Sequence, residues 1–299
     1  DGDRLGNLNF GVKTAAFYRE QILFPFFMNH LKEKKSELPE AWMFLTGANE
    51  WRKFDVWPPR LAQPVDFYLG PEGTITRTLP AQTGPAVFDQ YLSDPQRPVP
   101  YVGYTAEGMT RDYMTEDQRF AAQRPDVLVY QTAPLEADLT IAGPIKVSLN
   151  VSTTGTDADF VVKVIDVYPA SFPTPRPVPG APVAANAVHM GGYQQLVRGE
   201  PFRAKFRQSF EKPEPMVPGQ VTRIEFEMPD VYHSFRSGHR FMIQVQSSWF
   251  PLTDRNPQKF VDIPRARPED YQKATQRIYR SKDLPSFVTV LVEGGVGQK

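Results

Sequence analysis

The sequence predicts a mainly β protein, a jelly-roll-like antiparallel β-sandwich preceded by one helix. Three observations carry the prediction. Nine short runs alternate apolar and polar residues between turn residues, which is the period of half-buried strands. Thirty prolines among 299 residues are spread along the chain, about twice the usual share, and favour loops and edge strands over long helices. No helical pattern recurs between the runs, which argues against the alternating layout of a parallel α/β sheet.

In chain order, residues 12–35, "VKTAAFYREQILFPFFMNHLKEKK", read as the one long helix. Thr14 reads as its cap, and the closing lysines suit the negative end of its dipole. Phe17, Ile22, Phe24, Phe26, Phe27 and Leu31 spread apolar surface over more than one face. Such a helix needs a larger partner surface than the rest of this chain is expected to supply. Pro25 is expected to bend or break it. The strands follow at 41–47, 65–70, 127–132, 145–152, 159–169, 202–210, 221–228, 239–248 and 286–293. In "VTRIEFEM" (221–228), Ile224, Phe226 and Met228 share one face, and Arg223, Glu225 and Glu227 the other. Residues 170–186, rich in Pro and Ala, read as an extended surface loop. Strand signals are few over 261–285, where "PEDYQKATQRIY" reads as a short helix. No internal repeat is present.

Lys and Arg total 34, as do Asp and Glu, so the formal net charge is zero. Such a chain has no broad field to draw it to nucleic acid and no basic run to hold it on an anionic membrane. Its 40% hydrophobic content supports a packed core. No apolar stretch reaches the roughly 18 residues that read as a membrane-spanning helix. The absence of cysteine excludes disulfides, thiolate metal sites and a cysteine nucleophile. The opening "DGDRLGNLNFG" has neither a basic start nor an apolar run, so it is not a signal peptide. It also lacks an initiator methionine, and the chain is expected to begin inside a longer protein.

The stretch "SSWFPLTDRNPQKF" (247–260) raises the question of a catalytic serine. A hydrolase nucleophile of the Gly-x-Ser-x-Gly kind sits on a strained turn that tolerates only small neighbours. Ser247 and Ser248 end a strand without flanking glycines, and their hydroxyls are expected to satisfy local backbone groups. A Ser248–His239–Asp254 triad is disfavoured because His239 and Ser248 lie at opposite ends of one strand. The four histidines, His30, His189, His233 and His239, show no metal-ligand spacing. Asp157 and Asp159 in "GTDADF" offer oxygen ligands for calcium, but without an EF-hand pattern they read better as a turn entering a strand. Asp166 lies on an apolar run and needs a partner, for which arginine is the natural choice. Arg203, Lys205 and Arg207 fall on one face of the 202–210 run. Exposed, they would form an anion site; paired with Asp166 or Asp254, they would be structural, which is the preferred reading. Trp42, Trp51, Trp57 and Trp249 would either stack on sugars across a sandwich face or pack the core. The first use would make the chain an autonomous carbohydrate-binding module, and the apolar helix argues against that.

"GHRFMIQVQSSWFPLTDRNPQKF" (238–260) resembles the C-terminal β domain of the CocE/NonD-family serine hydrolases, the X-Pro dipeptidyl-peptidase C-terminal domain. Further stretches agree in the same order: "EWRKFDVWPP" (50–59), "RPDVLVYQTAPL" (124–135), "GTDADFVVKVIDVYP" (155–169), "MGGYQQLVRGEPFRAKFR" (190–207) and "YHSFRSGHR" (232–240). The resemblance covers nearly the whole chain. Within the family it is most similar to the α-amino acid ester hydrolases and glutaryl-7-aminocephalosporanic acid acylases.

The resemblance implies a galactose-binding-like jelly roll over 38–299, preceded by residues 1–37 as the last helical segment of an α/β-hydrolase domain. It places the serine, acid and histidine of the triad upstream of residue 1, so no residue here is expected to be catalytic. "LGNLNFG" (5–11) is similar to the segment shortly after the catalytic histidine. Trp51, Trp57, Asp166, Arg198, Arg203, Arg207, Trp249, Asp254, Arg255 and Asn256 are implied as structural signature residues. Asp254 and Arg255 would fix the loop after the strand, and Trp249 and Phe250 would pack against the hydrolase domain. The parent would cleave esters or amides through an acyl-enzyme, on α-amino acid esters, β-lactam acyl groups or X-Pro peptides. No metal or organic cofactor is implied. This chain would cover the cleft and support a homo-oligomer, in the periplasm or outside the cell. Its partner is the catalytic domain of the same protein, with no nucleic acid or membrane.

Overall fold

The computed structural model describes residues 2–32, 37–84, 87–174 and 188–294. Its centre is an antiparallel sandwich. The long strands Leu139–Thr153 and Thr222–Phe235 pair from Leu139 opposite Phe235 to Val151 opposite Thr222, with a register shift between Met228 and Val231. The other edge of Leu139–Thr153 takes two strands end to end, Phe287–Val292 and Ala274–Tyr279. Gln63–Leu69 lies beyond the first of these and Phe88–Ser93 beyond the second. The facing sheet has four strands in the order Gln194–Arg203, Asp159–Val167, Arg240–Gln246 and Leu128–Gln131.

Between the sheets lie Phe67, Leu149, Phe160, Val162, Val164, Phe241 and Ile243. Each contributes roughly 1.5–3 kcal/mol by leaving water. Asp159–Val167 is buried on both faces, because Val161 and Ile165 on its outer side are roofed by Tyr101, Val102 and Trp249. That double cover explains why "FVVKVI" is apolar almost throughout instead of alternating.

The helix expected over 12–35 is built in three parts. A short α-helix, Thr14–Phe17, runs into a π-helical stretch, Tyr18–Leu23, and then an α-helix, Phe24–Lys32. Residues 33–35 of the expected helix lie outside the described residues. The Phe24 amide donates to the Arg19 carbonyl five residues back. Pro25 lacks an amide and needs room beside the carbonyl four residues before it; the wide turn supplies that room without ending the helix. Thr14 is not the cap. Lys13 holds that position, and the Thr14 hydroxyl donates to the Gly2 carbonyl. A hairpin, Ala41–Leu45 with Glu50–Phe54, joins this helical segment to the sandwich. Its Thr46 amide donates to the Tyr232 carbonyl, and the Ser234 amide donates back. Only glycine fits the next position, because a Cβ on Gly47 would stand 2.1 Å from the Ser234 carbonyl oxygen.

Other elements also differ from the sequence reading. The strand expected over 202–210 is Gln194–Arg203, which ends where that run was expected to begin and passes into a 3-10 turn at Ala204–Phe206. Gly199 and Pro201 disguise it. Gly199 is there because a Cβ would meet the Trp249 ring at 2.8 Å, and Pro201 lies near the end of an edge strand, where a missing amide is tolerated. The short helix expected near 268–279 is a 3-10 turn, Pro268–Asp270, followed by the strand Ala274–Tyr279. Pairing with Phe88–Ser93 on one edge and Leu139–Thr153 on the other overrides the local polarity. Of the expected 170–186 loop, residues 175–186 lie outside the described residues.

Candidate functional site

Three of the expected signature residues, Arg203, Asp254 and Asn256, meet Asp157 and Asp159 at one end of the small sheet. Asp159, opening its strand, receives Nε and Nη2 of Arg203 from the neighbouring strand at 2.9 and 3.0 Å. Arg203 Nη2 also reaches Asp254 at 2.7 Å. Asn256 Nδ2 donates to Asp157 Oδ2 at 3.1 Å and Asp159 Oδ1 at 2.7 Å. The second oxygen of Asp157 accepts the amides of Ala158 and Lys205. Burial raises both carboxyls, Asp157 to about 6, while Arg203 and Asn256 pull Asp159 back down. Burial alone would lower Arg203, but its two carboxylate partners outweigh that and raise it. All four oxygens of Asp157 and Asp159, the candidate calcium ligands, already accept a protein donor. The arrangement clamps the turn before one strand, the end of the next and the loop after a third.

Arg203, Lys205 and Arg207 do not share a strand face, because the chain turns at Ala204–Phe206; Arg203 pairs with Asp254, the structural use preferred over an anion site. Lys205 is buried, with Nζ donating to the Val261 carbonyl. Arg207 folds onto the carbonyls of Ala204, Glu214 and Pro215. Arg255 donates to the Pro95 carbonyl and lies over the Tyr271 and Phe250 rings.

The serines are committed elsewhere. Ser247 Oγ and the Tyr91 hydroxyl are 2.7 Å apart, and Ser248 Oγ accepts the Val99 amide at 2.8 Å. His239 faces Asp166 instead of either serine. Asp166 was expected to pair with arginine; its oxygens instead meet His239 Nδ1 at 2.8 Å and His233 Nε2 at 3.2 Å, all three groups buried. Despite burial, which raises it, the two imidazoles hold the Asp166 carboxyl below its ordinary value. His233 Nδ1 lies 2.8 Å from the Thr46 hydroxyl, which ties the cluster to the hairpin. Lys163 is a second feature missed in the sequence. It is fully buried, donates to Gln118 Oε1 at 2.8 Å and lies 5.0 Å from the Trp249 ring centre. Burial pushes its amine down to about 7. The only sequence signal was a lone lysine inside "DFVVKVIDV".

The four tryptophans do not form a row. Trp51 stacks on Phe17 at 4.7 Å, Trp42 meets the same ring edge-on, and Trp57 packs on Phe54 and Tyr232 while donating to Asp230. Trp249, expected at an interface with another domain, is 3% exposed within this chain; Phe250 beside it is 38% exposed. The helical segment carries uncovered apolar surface, as do Leu61 and Phe210 elsewhere, each 79% exposed. Phe24 and Leu31 are 64% and 69% exposed, and Phe26 and Phe27 nearly half. A cleft of about 470 Å³ opens between Leu5, Phe10, Tyr113, Arg198, Glu200 and Trp249. Arg198 Nη2 donates to the Asp230 carbonyl at 2.6 Å. Among the described residues no cluster of three or more metal-binding side chains is present, and no helix is long and apolar enough to cross a membrane.

The family model described as the X-Pro dipeptidyl-peptidase C-terminal non-catalytic domain matches residues 34–289. The chain belongs to this family. An X-Pro dipeptidyl-peptidase C-terminal domain is thus present, as the resemblance to CocE/NonD hydrolases implied. A cocaine esterase from Rhodococcus sp. (strain MB1 Bresler) is 31% identical over 274 residues, covering 89% of this chain and 44% of that protein. A solved aminopeptidase from a marine sediment archaeon, Thaumarchaeota archaeon, is 40% identical with a TM-score of 0.85, over 98% of this chain and 47% of that one. A solved α-amino acid ester hydrolase is also 40% identical, with a TM-score of 0.86, over 98% of this chain and 48% of that one. The chain spans less than half the length of each of these proteins.

Proposed function

We propose that this chain is the C-terminal β domain of a serine ester or amide hydrolase and that the triad lies on an α/β-hydrolase domain outside it. Residues 1–37 then belong with the hydrolase domain and 38–299 form the β domain. The observation that carries the reading is the uncovered face of Phe24, Phe26, Phe27 and Leu31. These residues lie on a helical segment wedged by Phe17 onto the Trp42–Trp51 hairpin. A contiguous apolar face of this kind marks an interaction surface, and the matched relatives carry about as much chain again outside the matched region.

In this reading the parent forms an acyl-enzyme by serine attack on an ester or amide carbonyl, with the oxyanion held by preorganised donors. The chemistry named for the relatives (cocaine esterase, aminopeptidase, α-amino acid ester hydrolase) points to α-amino acid esters and N-terminal aminoacyl groups, with β-lactam acyl groups and X-Pro peptides as neighbouring substrates. The β domain covers the cleft and supports a homo-oligomer, in the periplasm or outside the cell. The test is hydrolysis of aminoacyl p-nitrophenyl esters by the full-length protein and by this chain. Turnover confined to the full-length protein supports the reading, and turnover by this chain overturns it.

A further inference from the structure

The cleft beside Trp249 contains an imbalance that the chain alone does not resolve. Arg198 Nε and Trp249 Nε1 are both buried without an acceptor, and both residues line the same cleft of about 470 Å³. Buried N–H groups are seldom left unpaired in native proteins. Phe10, Tyr113, Met114 and Leu252 give the cleft an apolar part, beside a polar part made by Thr46, Thr115, Gln195, Glu200 and Thr253.

The surroundings of these donors decide the kind of acceptor. Arg198 already gives one Nη2 hydrogen to the Asp230 carbonyl, and its orphaned Nε carries a single hydrogen. Glu200 lies in the same lining and faces Arg198 electrostatically. An incoming anion would meet that carboxyl, whereas a neutral carbonyl oxygen would not. Two single donors set among aromatic and aliphatic side chains suit a peptide carbonyl followed by an apolar side chain. Leu5 and Phe10, at the N-terminal end of the chain, form one wall, and the relatives carry as much chain again outside the matched region.

We propose that this cleft seats a loop of the catalytic half, whose main-chain carbonyl oxygens accept from Trp249 Nε1 and Arg198 Nε while an apolar side chain packs on Tyr113 and Leu252. The inference rests on the functional reading above. It adds a second contact between the halves, distinct from the helical face.

A benzophenone amino acid in place of Met114, which is 43% exposed and lines the cleft, tests this in the full-length protein. The control places the same residue at Leu61, which is 79% exposed and lines a different pocket. Irradiation at 114 is expected to join the cleft to a peptide outside residues 1–299 of the same polypeptide, and irradiation at 61 to give no such product. Cross-links confined to residues 1–299, a dimer on a denaturing gel, or a small molecule retained in the cleft and blocking the reaction would each overturn the proposal. Serine-directed labelling of the same preparation separates the two failures. If the catalytic half labels but position 114 joins elsewhere, only this inference falls; if no catalytic half labels, the functional reading falls with it.

Discussion

Replacing Asp166 with alanine is expected to be among the most damaging single changes in the sandwich. Asp166 is 1% exposed, and each carboxylate oxygen meets one buried imidazole, His239 at 2.8 Å and His233 at 3.2 Å. Truncation leaves two buried ring nitrogens without their acceptor. At about 1–3 kcal/mol for each stranded group, the loss is about 2–6 kcal/mol, in line with the ~3–5 kcal/mol for breaking a buried pair. Asp166→Asn keeps one acceptor and should lose about half as much. Urea unfolding near pH 7, followed by tryptophan fluorescence, reads both variants. The pH dependence gives an independent check. The folded carboxyl sits below its ordinary value of 3.8, so its contribution is complete above that value. It is then lost as pH falls through the lower folded value, because the unfolded state takes up the proton first. The gap between wild type and Asp166→Ala should therefore narrow on strong acidification. A loss below about 1 kcal/mol for Asp166→Ala at pH 7, or a gap indifferent to pH, would refute this account of the cluster.

The same geometry sets other expectations. Asn256→Ala strips a donor from both Asp157 and Asp159 and should cost about 2–4 kcal/mol by urea unfolding. Asp254→Ala, whose side chain is 57% exposed, should cost less than about 1 kcal/mol despite its bond to Arg203. Gly199→Ala drives a Cβ to 2.8 Å from the Trp249 ring and should lose about 1–3 kcal/mol and alter the fluorescence of that tryptophan. Asp157, raised to about 6 by burial, acts in the opposite sense to Asp166. The folded state holds its proton longer, so this group should lower stability as pH rises from about 4 to 6, and Asp157→Asn should flatten that slope in a pH-dependent unfolding series.

The sandwich was legible because most of its strands carry their burial in alternation. "VTRIEFEM" announces one buried face, and the strand was found even though its continuation to Phe235 lay beyond a bulge. Strands whose character comes from tertiary pairing were harder. Ala274–Tyr279 is polar between its buried positions and gains its place from two neighbours, so local pattern suggested a helix. Gln194–Arg203 was hidden by Gly199 and Pro201, which normally mark loops but here serve a ring contact and an edge position. The sequence singled out Asp166 as a buried carboxylate in need of a partner, but not which residues partner it. Asp166 called for a cation, and nothing in the sequence tells that two histidines, 67 and 73 residues away, supply the donors. Lys163 escaped notice because an amine at the centre of a buried strand is stabilised by Gln118 and Trp249, neither near it in sequence.

The proposal that the nucleophile of a serine hydrolase lies outside residues 1–299 is tested most directly by fluorophosphonate labelling of the full-length protein and then peptide mapping. The account predicts one labelled serine, on a peptide outside residues 1–299, with Ser247→Ala and Ser248→Ala leaving the labelling unchanged. A labelled peptide containing Ser247 or Ser248, lost on mutation of that serine, would contradict it.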